Sequence, residues 1–194
     1  GPAIEEFRLS SDSKWISYSK VDEIRVQDIW VCPLDDKTGK LLPGTPVNVS
    51  RHPGFNQLPQ WLGKNGVLAF LSNRYRNRDI ETINDEGRYS LYKLSLEPEK
   101  QVFDEESFLP TVPATAPKDK LTPIILDERG IVNRAKLLAN PDGGIVDHSV
   151  SPDGKSICYV GATAGQRDLW LISSEGGAPT KLTTGESPTH LRWT

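Results

Sequence analysis

The chain has three histidines, His52, His148 and His190, and hydrolytic chemistry of the serine type at neutral pH would have to recruit one of them. A triad places an imidazole between a serine that it deprotonates and a carboxylate that orients it. His148 has the best local company, with Asp147 before it and Ser149 and Ser151 after it. Neighbours along a strand point to alternate faces, however, so this adjacency separates the groups instead of joining them. His148 is read as a solvated or structural residue. The sequence contains no Gly-x-Ser-x-Gly elbow, no phosphate-binding glycine loop and no His-Glu-x-x-His zinc motif. Asp12, Asp28, Asp153 and Asp168 are scattered at turns and loop ends, without the closely spaced oxygen ligands of a calcium loop. No catalytic residue, metal or cofactor is expected.

The residues suited to binding are basic. Arg74, Arg76 and Arg78 crowd into the stretch Arg74-Tyr75-Arg76-Asn77-Arg78, and such a cluster attracts carboxylates. If it follows the second strand of an antiparallel unit, it shares a face with Arg51 and His52, after a fourth strand, and with Arg167, after another second strand. That face would take acidic peptide ends. The plainer reading is a solvated hairpin tip, since exposed charges are the rule on surfaces.

The elements that position these groups come from a repeat. Leu9-Ser10-Ser11-Asp12-Ser13-Lys14-Trp15-Ile16-Ser17-Tyr18 aligns without gaps on Val150-Ser151-Pro152-Asp153-Gly154-Lys155-Ser156-Ile157-Cys158-Tyr159, and Trp61-Leu62-Gly63-Lys64-Asn65-Gly66-Val67-Leu68-Ala69-Phe70 is a third copy. Each is an apolar strand end, a polar turn and an alternating strand that closes on an aromatic residue. In the turn, Pro152 presets φ, Asp153 caps, and Gly154 takes the left-handed position. Asp28-Ile29-Trp30-Val31 and Asp168-Leu169-Trp170-Leu171 then read as third strands, each led by a carboxylate expected to accept hydrogen bonds where the loop re-enters the sheet. The start points Leu9, Trp61, Val150 and Trp193 lie 52, 89 and 43 residues apart. Two of these spacings suit a four-stranded unit of roughly 40 to 50 residues. The long one holds an insertion at about 97–123, rich in acidic residues and carrying Pro110, Pro113, Pro117 and Pro123, which reads as an exposed excursion.

Units of this kind bury their faces only against one another around an axis. The expected fold is all-β: a partial β-propeller of about three four-stranded antiparallel blades plus one extra strand. Blade one is placed at about 5–50, blade two at about 57–139 and blade three at about 146–184, with the first strand of the next blade at 189–194. The five tryptophans are expected in the core, most of them at equivalent blade positions. Cys32 and Cys158 fall in different repeats and are read as reduced, buried thiols.

A net charge of −3 with both signs interspersed excludes a nucleic-acid or anionic-membrane field, and no apolar run approaches the roughly 18 residues that cross a bilayer. Gly1-Pro2 reads as the scar of a removed affinity tag, and a leader could have been removed with it.

Several of these motifs carry a family resemblance. Ser151-Pro152-Asp153-Gly154-Lys155, Asp168-Leu169-Trp170, Gly176-Gly177-Ala178-Pro179-Thr180-Lys181-Leu182-Thr183 and Leu191-Arg192-Trp193-Thr194 resemble the propeller repeats of TolB and of tricorn-type proteases. Pro46-Val47-Asn48-Val49-Ser50-Arg51-His52-Pro53, Pro59-Gln60-Trp61 and Leu68-Ala69-Phe70-Leu71-Ser72-Asn73-Arg74 are closer to the bacterial tricorn-like serine proteases. That resemblance implies a non-catalytic module that gates or binds peptides, with the protease chemistry in a separate domain of the parent chain. The TolB alternative implies a scaffold that binds a protein partner. Both favour a bacterial periplasmic or secreted setting over the cytoplasm. Three blades cannot close a ring that needs four to eight, so the expectation is either a homodimer completing a six-bladed ring or a fragment whose exposed edges meet another chain, including the remaining domains of its parent.

Overall fold

The computed structural model describes residues 4–23, 26–35, 37–42, 45–63, 66–74, 88–98, 124–163, 165–188 and 191–193. It contains three four-stranded antiparallel sheets, each with its strands in chain order. The first is β1 (Ile4–Leu9), β2 (Trp15–Val21), β3 (Gln27–Pro33) and β4 (Val47–Asn48). The second is β5 (Asn56–Trp61), β6 (Val67–Ser72), β7 (Ser90–Ser95) and β8 (Ala135–Ala139). The third is β9 (Ile145–Val150), β10 (Ser156–Thr163), β11 (Gln166–Ser173) and β12 (Thr180–Lys181). Among the described residues the only helix is a 3-10 turn at Ile131–Arg134. The all-β fold of consecutive propeller blades read from the repeat is therefore what the chain forms.

The shared turn works through the same atoms in blades one and three. Ser10 Oγ donates to Asp12 Oδ1 and accepts from Trp15 N, as Ser151 Oγ donates to Asp153 Oδ1 and accepts from Ser156 N. The Ser151 hydroxyl and the Lys155 amide hold the Asp153 carboxyl below its ordinary range. Such local bonds favour the hairpin over any competing backbone path.

Residues opposite each other in register share a sheet face, and the faces pack in a fixed order. Leu68, Phe70, Tyr92 and Leu94 of blade two meet Ile29, Val31 and Val49 of blade one. Ile157, Tyr159 and Ile172 of blade three meet Ala69, Leu71, Leu91 and Ala139 of blade two. We call the face that meets the preceding blade leading and the other trailing. Each fully buried Leu, Ile or Phe contributes about 1.5–3 kcal/mol. The insertion predicted at 97–123 lies, from residue 99 onward, outside the described residues. The chain after it returns to the first junction, where Ile124 and Ile131 join the core.

The third strands depart from expectation in one respect. Asp28 and Asp168 lie inside β3 and β11, paired with Lys20 and Gly161, and do not simply precede the strand. Their carboxylates reach the chain that follows the fourth strand. Asp28 Oδ1 accepts from Ser50 Oγ at 2.5 Å, while Ser50 Oγ also accepts from Ile29 N. Asp168 Oδ1 accepts from Gly185 N at 2.5 Å, and Leu169 N donates to Thr183 Oγ1. In blade two the same latch appears with its chemistry exchanged: Ser90 Oγ donates to Asn140 Oδ1 at 2.7 Å. Residues 191–193, expected to open another blade, form no strand ladder, but Trp193 is anchored as Trp61 is. Trp61 Nε1 donates to Arg8 O and Trp193 Nε1 to Ser149 O. Both cysteines are free thiols.

Candidate functional site

The hairpin turns of blades two and three stand side by side, so close that a Cβ on Gly154 would lie 2.4 Å from Gly63 N. Gly154 also has φ +72°, a conformation that side chains disfavour. These turns border a cleft of about 1020 Å³. Leu62 and Val67 form apolar wall; Pro152 and Gly154 present backbone; Lys93, Arg134, Lys136 and Lys155 bring positive charge. Asp153 and Glu175 are the two carboxylates in the lining.

The cations are held differently. Lys93 projects from the trailing face of β7, where Val31 and Leu171 stand in the other blades, and its Nζ donates to Ser174 O at 3.0 Å and Glu175 Oε2 at 2.9 Å. It thereby ties blade two to blade three within the lining of the cleft. Arg134 donates to the carbonyls of Ser95, Leu96, Asp127 and Arg129, which fixes the returning chain. Lys136 and Lys155 are exposed. Among the described lining residues four side chains are cationic, Lys93, Arg134, Lys136 and Lys155, and two are carboxylates, so that part of the lining carries net positive charge.

The sequence had placed binding on the opposite rim, where the loops after second and fourth strands emerge. The structure does bring two of those loops together: Phe55 N donates to Asn73 Oδ1 at 2.8 Å, and Asn73 N to Phe55 O. Arg74, however, is 8% exposed. Its guanidinium bonds Ser72 Oγ and Asn56 Oδ1 and lies 5.1 Å and 5.2 Å from the Phe70 and Tyr92 ring centroids. It therefore serves the first junction, not an exposed tip. Arg51 donates from Nε to Asn48 O and pairs with Glu128. His52 accepts from Gly54 N through Nδ1. Arg167 is exposed, and its carbonyl accepts from Ser187 N. Arg76, Arg78 and His190 lie outside the described residues.

His148 is not solvated. It is 1% exposed, and neither ring nitrogen has a hydrogen-bond partner. Burial pushes its pKa down to about 3, with the Ala69 backbone opposing and the Arg8 charge adding to the shift. A neutral imidazole sealed between blades cannot exchange protons with a substrate. Among the described residues no group of three or more potential metal ligands comes together.

Sequence reasoning missed Lys93, Lys136 and Lys155. Lys93 carried a signal: it is the one charged residue in the otherwise apolar or hydroxyl-bearing strand Ser90-Leu91-Tyr92-Lys93-Leu94.

No protein-family model and no curated protein matches the sequence. Among solved structures, a protein assigned as TolB from Agrobacterium tumefaciens is similar with TM-score 0.54 and 16% identity, covering 93% of this chain and 47% of its own. TolB from Acinetobacter baumannii is similar with TM-score 0.51 and 16% identity, covering 93% of this chain and 33% of its own. A puromycin-hydrolyzing peptidase from Mycobacterium tuberculosis is similar with TM-score 0.54 and 11% identity, covering 89% of this chain and 20% of its own. This chain thus spans less than half the length of each. At these identities the likeness is one of fold: the chain is built as the propeller parts of TolB and of a peptidase are built.

Proposed function

We propose that this chain is a non-catalytic propeller module of a larger tricorn-like serine protease, and that it binds or gates peptide segments in the cleft between blades two and three. The observation that carries the reading is the cleft itself, open at one rim, net positive over its described lining residues and lined by turn backbone that can bond an extended peptide. The tricorn-like motifs around Pro46, Pro59 and Leu68 support the protease context, and the sealed His148 supports a binding role over a chemical one. Fluorescence anisotropy with a labelled Glu-rich decapeptide tests it. Binding should weaken with salt, and a Lys136→Ala/Lys155→Ala double variant should weaken it about fivefold, the effect of about 1 kcal/mol. Equal affinity for a Lys-rich decapeptide, or no loss in the double variant, would reject the cleft as the site.

The alternative, a TolB-like scaffold that binds a protein partner, is favoured by the coverage of this chain by both TolB structures. It predicts no affinity for short peptides of either charge.

A further inference from the structure

Lys93 stands where the other blades carry an aliphatic residue. It pairs with Ala69 as Val31 pairs with Ser17 and Leu171 with Cys158, and a charge at such a position costs desolvation that valine or leucine would not. Its ion pair is lopsided. The Lys93 side chain is 18% exposed and that of Glu175 is 85% exposed, while Nζ donates to Ser174 O at 3.0 Å and to Glu175 Oε2 at 2.9 Å. A pair with one partner so fully in water is weak, and Glu175 can leave it without losing hydration. Lys93, drawn largely out of water, keeps its need for an anion. The ammonium has three donors, so the two bonds leave one for a ligand. The Glu175 backbone is fixed independently of its carboxylate: Glu175 N donates to Ser173 Oγ at 3.1 Å and Gly176 N to Ser173 O at 2.9 Å. The carboxylate can therefore swing away while the turn keeps its shape. Lys93, Ser174 and Glu175 all line the cleft between blades two and three.

We propose that Lys93 is the anchor for an acidic side chain of the bound peptide and that Glu175 is its built-in competitor. Without a ligand the Glu175 carboxylate satisfies Lys93; a glutamate or aspartate side chain of the ligand takes its place, and the bond to Ser174 O persists. This rests on the peptide reading of the cleft and adds to it the residue that selects the ligand and the contact that sets its affinity. The group already seated on Lys93 is a glutamate carboxylate, so the selected chemistry is that of an acidic side chain. Lys136 and Lys155, both exposed, attract such a ligand through the solvent, whereas Lys93 is the cation that it touches.

Anisotropy on the full chain tests this with the labelled Glu-rich decapeptide, amidated at its carboxyl end so that its carboxylates are all side chains. Glu175→Gln should tighten binding about threefold, within the roughly fivefold that an exposed ion pair is worth at most. Lys93→Gln, which keeps a donor for Ser174 O, should weaken binding at least about fivefold. The gain from Glu175→Gln should vanish in the Lys93→Gln background, because a competitor acts only through the cation it competes for. A gain of the same size with and without Lys93 would mean that Glu175 acts through its field alone and would overturn the proposal, as would no gain; wild-type binding would in both cases leave the cleft standing as the peptide site. A decapeptide bound by no variant would overturn the proposal and the peptide reading together. Circular dichroism establishes that each variant is folded. If Lys93→Gln does not fold, the side-chain carboxyl carbon of Glu175 in the wild-type protein decides: its resonance should shift on saturation with the peptide, and one that stays in place would overturn the proposal.

Discussion

The two junctions are built from the same faces, yet one is sealed and the other is left open. Between blades one and two, polar groups bridge the blades: Asn56 Nδ2 donates to Asp28 Oδ1, Asn56 Oδ1 accepts from Ser72 Oγ and from Arg74, and Arg74 covers the rings of Phe70 and Tyr92. The chain returning after the insertion then adds Ile124 and Ile131 to the same core. Between blades two and three polar groups bridge as well, Gln60 Nε2 donating to His148 O, Val150 N to Gln60 Oε1 and Lys93 Nζ to Ser174 O, but the His148 ring nitrogens have no hydrogen-bond partner, no returning chain adds to the core, and the two blades line the cleft. Inter-blade contact alone thus decides only that blades stack. Whether a junction also offers a site depends on what the loops add to it.

The largest effect should come where the open junction is narrowest. Gly154→Ala must both adopt φ +72° and push a Cβ into the Gly63 backbone, a combination expected to cost about 3 kcal/mol. Gly165→Ala, at φ +80° with nothing within 4 Å, meets only the backbone penalty of about 1 kcal/mol. Urea denaturation of the pair separates close approach from conformation; equal losses would mean that the turns do not touch. At the sealed junction, Asn56→Ala removes the side chain that links buried Arg74 to half-buried Asp28 and should cost about 2 kcal/mol, while the Lys136→Ala/Lys155→Ala variant, at exposed cleft positions, should change stability by less than about 0.5 kcal/mol.

A further effect depends on pH. The unfolded chain takes a proton on His148 near the ordinary imidazole value of 6.5, whereas burial in the folded chain pushes that value down to about 3. Between these values the unfolded state binds the extra proton, so stability falls as pH drops from 6.5 toward 3, by at most about 1.4 kcal/mol per pH unit. His148→Leu should flatten that slope in urea titrations between pH 6.5 and 4. An unchanged slope would show that the histidine is not sealed.

The repeat was legible because its turn chemistry is local. Ser151, Asp153 and Gly154 act on their own backbone, and the spacing of copies counts blades. Roles that depend on a neighbouring blade were legible only in part. The tryptophans read as core, yet Trp61 and Trp193 spend their indole N–H on a carbonyl of the preceding blade. Arg74 read as an exposed tip because its sequence neighbours are polar, while Phe70, two registers back, and Tyr92, across the ladder, draw its guanidinium inward. Ser90 and Asn140 gave no sign of a latch, since serine replaces the aspartate of the other two blades. The cleft was illegible for the same reason: its lining comes from segments up to about 160 residues apart and exists only once two blades face each other.

The most direct test maps the ligand onto backbone amides. Titrating the isotope-labelled chain with the Glu-rich decapeptide should shift the resonances of Gly63, Lys93, Gly154 and Lys155 first and furthest. Shifts centred instead on Arg51, Gly54 and Arg167, or none at all at saturating peptide, would contradict a peptide site between the second and third blades.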